Sequence, residues 1–118
     1  MLSDKARANL QAGEILSAAG LVDPAASRFY YAMFQAAVHR LAALGWTPGR
    51  LASGAVKWSH TMVLQNVFLV RRTRSDRDLL ERMRDLREQA DYGEDGVPAQ
   101  RLAAQIAAVR DFVEEAGA

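Results

Sequence analysis

The sequence predicts an all-α protein, a single antiparallel up-and-down bundle of about five helices over residues 1–118. Three observations carry this. Each long segment repeats apolar residues at three- and four-residue spacing. The breaks fall between those segments, at Gly20, Gly45, Pro48-Gly49, Gly93 and Gly96. Nothing reads as a strand, a repeat array or a disordered tail.

The first helix is expected from Ser3, as N-cap, to Ala19, with Gly20 as its stop. Its stripe is Ala6, Leu10, Ala12, Ile15, Leu16 and Ala19. The second starts at Asp23, an N-cap followed by Pro24 at the first helical position, where the missing N–H costs nothing. It runs to Leu44 and stops at Gly45, about 31 Å of helix at 1.5 Å rise per residue. Residues 45–55 read as a loop. The third helix opens at Ser59 and runs to Val70 with Met62, Val63, Leu64, Val67 and Phe68. Residues 71–75 read as a turn or frayed end. The fourth runs from Ser75 or Asp76 to Ala90 on Leu79, Leu80, Met83 and Leu86. The fifth, from Pro98 to Ala116, repeats Leu102, Ile106, Val109 and Val113.

The 118 residues and 13.0 kDa suit one domain with a core of its own, half of the residues being hydrophobic and a quarter charged. With no cysteine, disulfides and thiolate metal sites are excluded. Two histidines without a His-x-x-x-His pair argue against zinc, and no Gly-rich phosphate loop follows a strand. No metal and no cofactor are expected. No apolar run approaches the roughly 20 residues of a membrane span, and the opening residues lack an apolar signal core. The expected location is the cytoplasm. A net charge of +1 gives no global attraction to nucleic acid, but seven of the fifteen basic residues, all arginines, lie between Arg71 and Arg87. Asp76, Asp78, Glu81, Asp85 and Glu88 interleave with them.

Two runs carry chemistry. In Ser27–Ala37, helical spacing gathers Arg28, Tyr31, Ala32, Gln35 and His39 into one polar stripe beside core positions Phe29, Met33, Ala36, Ala37 and Leu41. The stripe lines a cleft or a partner helix; on the plainer reading Arg28 is solvated and Tyr31 packs with its hydroxyl at the surface. In Arg84–Gly93, Arg84, Arg87 and Asp91 share a face, and Tyr92 ends the helix. An arginine pair there binds phosphate, with Tyr92 beside it to stack or hydrogen-bond, or else the face is merely charged and exposed. Tyr30, Tyr31 and Tyr92 are candidates for base stacking, yet serve a core equally well. His39, on the first stripe, and His60, at a helix start whose dipole disfavours its protonation, are the two candidate proton carriers at neutral pH.

Taken together these runs resemble the HEPN superfamily of small all-α domains, in its stand-alone branch. The carriers are Ala25-Ala26-Ser27-Arg28-Phe29-Tyr30-Tyr31-Ala32-Met33-Phe34-Gln35-Ala36-Ala37, then Ser59-His60 with Phe68, then Leu86-Arg87-Glu88-Gln89-Ala90-Asp91-Tyr92-Gly93. The resemblance implies a homodimer that binds RNA, a nucleotide or a minimal nucleotidyltransferase partner through the Arg28/Tyr31 and Arg84/Arg87/Asp91 faces, in a toxin–antitoxin-type system. Many such domains are metal-independent ribonucleases with an arginine, four to six residues, then a histidine; the histidine handles protons and the arginine steadies phosphorane charge. Here no histidine follows Arg84 or Arg87, and Ala90 or Asp91 takes its place. Two alternatives stay open: a ribonuclease toxin in which His39 or His60 substitutes, and a structural interaction module with its polar stripes buried at an interface.

Overall fold

The computed structural model describes residues 2–50 and 56–117. It is an all-α helical bundle: α1 (Leu2–Ala18), α2 (Val22–Ala43), α3 (His60–Asn66), α4 (Phe68–Arg71), α5 (Ser75–Tyr92) and α6 (Ala99–Ala116). A two-residue antiparallel ladder pairs β1 (Gly49–Arg50) with β2 (Val56–Lys57), Gly49 opposite Lys57. That short ladder corrects the expectation of no strand, and it is too short to carry an alternating pattern that sequence could show. The predicted loop 45–55 is therefore partly ladder, and its residues 51–55 lie outside the described residues.

Helix α2 is the axis of the bundle and packs against all five other helices. Its alanines make this feasible. Ala25, Ala26, Ala32, Ala36 and Ala37 are buried, which lets neighbouring helices approach, while Phe29, Met33 and Leu41 fill the space between. On α1 the buried line is Ala6, Leu10 and Gly13, with the Phe29 ring seated where a Gly13 side chain would be. Ile15, expected in that stripe, is 62% exposed. Leu79, Leu80, Met83 and Leu86 of α5 and Leu102, Val109, Phe112 and Val113 of α6 complete one buried cluster, with Ile106 only partly covered.

Several predicted boundaries move. Ser3 lies inside α1 rather than capping it. Asp23 does not cap α2, which starts at Val22 without a side-chain cap; its carboxylate instead accepts the Val97 N–H at 2.8 Å and ties α2 to the α5–α6 loop. The third predicted helix breaks at Val67 into α3 and α4, and Phe68 is 44% exposed rather than core. The segment after it is an ordered corner: Arg72 takes the left-handed conformation at φ 59°, and Arg71 grips the fully buried Asp76 with two guanidinium nitrogens, Nε at 3.0 Å. Helix α5 runs two residues past the predicted Ala90, so Asp91 and Tyr92 belong to its last turn.

Candidate functional site

The two sequence runs meet only in part. Arg28 and Gln35 turn toward α1: Arg28 Nη1 donates to Asn9 Oδ1 at 3.1 Å, and Asn9 Nδ2 donates to Gln35 Oε1 at 2.8 Å. Tyr31 lies on the other flank of α2, where the Arg87 guanidinium of α5 sits 5.2 Å from its ring centre. The single stripe expected from spacing is thus split between two sides, because Tyr31 is offset around the helix from Arg28 and Gln35 by enough to cross the α2 crest. Ala32 is buried in the core between them, and His39 is half-buried further along α2.

At the second face, Arg84 pairs with Glu88 at 3.3 Å, while Arg87 lies 3.7 Å from Asp91. The latter is an ion pair without a hydrogen bond, and Arg87 Nε is buried with no hydrogen-bond partner. Asp91 also accepts a long contact of 3.4 Å from the Ser27 hydroxyl. Tyr92 is 82% exposed at the helix end, away from any ring partner among the described residues.

Spacing did not reveal the centre of this region. Tyr30, 4% exposed, places its hydroxyl 2.9 Å from His60 Nδ1 and stacks on the imidazole at 5.9 Å between ring centres. Its ring also meets Tyr31 edge-on at 5.3 Å and Phe34 at 5.9 Å, and Arg87 lies 5.3 Å from its centre. Thirty residues separate Tyr30 from His60, so only the packing of α3 across α2 could show the pair. Ser59 fixes the start of α3, its hydroxyl accepting the Met62 N–H at 3.1 Å, and so sets where the His60 ring points. One signal was available: the tryptophan and lysine immediately before Ser59-His60 line the same cleft.

That cleft, about 320 Å³, is walled by Tyr30, Tyr31, Phe34, Lys57, Trp58, Ser59, His60 and Arg87. Its protonation states follow from burial. Burial pushes the Tyr30 hydroxyl up to about 12, against the pull of Arg87 and Arg84, so it remains an O–H donor at neutral pH. Burial likewise lowers His60 from its ordinary 6.5, helped by the Arg84 charge and opposed chiefly by Glu81. A neutral His60 that accepts from Tyr30 at Nδ1 carries its proton on Nε2. That Nε2 is buried without a hydrogen-bond partner, and the nearest carboxylate oxygen, Glu81 Oε1, is 3.8 Å away.

The site therefore combines two cations, Lys57 and Arg87, with the rings of Tyr31, Phe34 and Trp58, and holds its histidine inward. Among the described residues no three His, Cys, Asp or Glu side chains converge on a metal position, and no helix is long and apolar enough to cross a membrane. The fold is a small helical bundle with a cleft that gathers Tyr30, Tyr31 and Arg87 where α2 meets α5. The HEPN domain family matches over residues 1–116, and the chain belongs to that family. No curated protein matches it.

Proposed function

We propose that this HEPN domain binds single-stranded RNA, one nucleotide unit seating in the α2–α3–α5 cleft, and does not cleave it. The observation that carries the reading is Arg87. Its guanidinium lies over two tyrosine rings and makes no hydrogen bond among the described residues, although it stands at the cleft wall. With its Nε buried and its Cζ 5.3 and 5.2 Å from the Tyr30 and Tyr31 ring centres, Arg87 would offer its two terminal nitrogens to a phosphate, which accepts charge-assisted N–H bonds. Lys57 adds a second positive charge, and Trp58, Phe34 and Tyr31 offer faces on which a base stacks without sequence preference.

Binding without cleavage follows from the histidine. Strand cleavage needs a group that takes a proton from the 2′-hydroxyl and another that returns one to the leaving oxygen. His60 Nδ1 is engaged by Tyr30, its Nε2 is buried, and burial lowers its pKa, which disfavours the imidazolium that would act as acid. Asp91, which with Ala90 occupies the place where the resemblance would put a histidine, lies 3.7 Å from Arg87, neutralises it in part and tempers phosphate affinity.

The test is a fluorescence-anisotropy titration of labelled oligoadenylate against wild type and Arg87→Gln, with the RNA run on a denaturing gel afterwards. Binding should weaken about tenfold in the variant, the salt slope should fall by about 0.7 for one lost phosphate contact, and the RNA should stay intact. Equal affinity of the two proteins would refute the binding site. RNA cut by wild type but not by His60→Ala would overturn the non-cleaving reading in favour of a histidine-driven ribonuclease.

A further inference from the structure

The arginine-rich segment is not exhausted by the cleft around Arg87. Of its seven arginines, Arg71 is held by Asp76 and Glu115, Arg82 by Gln105 at 3.1 Å, Arg84 by Glu88 and Arg87 by Asp91. Arg72, Arg74 and Arg77 make no side-chain hydrogen bond or ion pair among the described residues. This is notable because Asp78 stands four residues after Arg74, and Glu81 four after Arg77, the spacing at which helical ion pairs form.

The corner that carries these three is built rigidly. Asp76, fully buried, binds Arg71 through two contacts, and Arg71 also reaches Glu115 and lies over the Phe112 ring at 5.2 Å. Arg72 takes up a left-handed backbone that side chains other than glycine seldom adopt. The Thr73 and Ser75 hydroxyls meet at 3.0 Å across the turn. The result is a second cleft, about 490 Å³, lined by Gln65, Phe68, Arg74, Arg77 and Asp78, with Phe68 44% exposed at its mouth. Two guanidiniums against one carboxylate leave it positive. An exposed phenylalanine with free arginines beside it has the composition of a nucleotide seat: a face for a base and donors for its phosphate.

The geometry points to this Phe68–Arg74–Arg77 cleft as a second RNA contact, where a further nucleotide of the same strand stacks on Phe68 and places its phosphate on the two arginines. Arg77 and Arg87 stand at opposite ends of α5, about 15 Å apart along its axis at 1.5 Å per residue. Asp78, Glu81 and Asp85 lie between them with Arg82 and Arg84, and those two arginines are already held by Gln105 and Glu88, so no free guanidinium bridges the stretch and the strand touches two separated seats rather than one continuous track. The inference takes its ligand class from the proposed function but has its own residues, and it predicts a minimum RNA length where a single seat would not.

The deciding experiment titrates ¹⁵N-labelled protein with oligoadenylate and, separately, measures anisotropy with Arg74→Gln/Arg77→Gln and with Phe68→Ala. Amide shifts at Phe68 and residues 74–78 should move together with those at 57–60. The double variant should lose about tenfold in affinity with a salt slope smaller by about 1.4, the value for two single-strand phosphate contacts. Phe68→Ala should lose about tenfold with the slope unchanged, since stacking releases no counterions. Shifts confined to 57–60, with both variants binding like wild type, would overturn the second seat and leave the first standing. Shifts confined to Phe68 and 74–78 would do the reverse, and no shift at either would end both.

Discussion

Replacing Asp76 by alanine tests the corner on which the α4–α5 arginines depend. Asp76 is fully buried and Arg71 only 18% exposed, so the substitution leaves a guanidinium against Phe112 with a single remaining partner, Glu115 at 3.2 Å, itself mostly exposed. Removing one member of a buried pair costs about 3–5 kcal/mol, most of it the penalty of the stranded charge. The residual exposure of Arg71 and its contact with Glu115 place this case at the lower end, about 3 kcal/mol. At about 4 °C per kcal/mol for a chain of this size, the melting temperature should drop by about 12 °C. Differential scanning calorimetry with urea unfolding reads both quantities. Removing both charges, as Arg71→Met/Asp76→Leu, should cost less than Asp76→Ala alone, because no buried charge is then left without a partner. A loss under about 1 kcal/mol for Asp76→Ala, the value of an exposed pair, would refute the reasoning. So would a double variant less stable than the single.

Two further outcomes follow from the loops and the buried histidine. Gly96 has φ +73°, and a Cβ there would sit 2.9 Å from Asp23 Oδ2, displacing the carboxylate that accepts the Val97 N–H; Gly96→Ala should cost about 2 kcal/mol by urea unfolding, and an unchanged midpoint would contradict the clamp. The folded-state pKa of His60 lies below its ordinary 6.5, so below that value the unfolded chain binds more protons than the folded one, and stability present above it is lost as pH falls toward the lowered value. Unfolding midpoints should therefore decline as pH falls through about 6.5, and His60→Gln should flatten that part of the profile; a His60→Gln profile with the wild-type slope would place the titration elsewhere.

The helical class, and five of the helical segments, could be read from periodicity because an apolar face with period 3.6 is the pattern of a helix that packs on one side. Gly20 and Gly45 marked the ends of α1 and α2 correctly, and both have positive φ. Ser59 marked the start of α3 and caps it. Asp23 misled for a physical reason: its position before Pro24 has the form of a cap, but the carboxylate is drawn instead to an unpaired backbone donor at Val97, which no local pattern reveals. The break at Val67 was invisible because Val63, Val67 and Val70 keep helical spacing through it. In the site, Tyr31, Arg87 and Asp91 were picked out by residue type, and their packing brings them together. Arg28 and Gln35 were grouped with Tyr31 by a spacing rule too coarse to separate two flanks of one helix. The Tyr30–His60 contact and the arrangement of Lys57 and Trp58 depend on how α3 crosses α2, and tertiary packing alone specifies that.

The measurement that bears most directly on the central claim uses Trp58, which lines the cleft itself. Trp46 can be replaced by phenylalanine so that Trp58 is the sole emitter. Titrated with unlabelled oligoadenylate, Trp46→Phe protein should show saturable quenching of Trp58, and adding Arg87→Gln should shift the midpoint about tenfold to higher RNA. Emission unchanged at every RNA concentration, or quenching with the same midpoint in both proteins, would contradict an RNA seat built on Arg87.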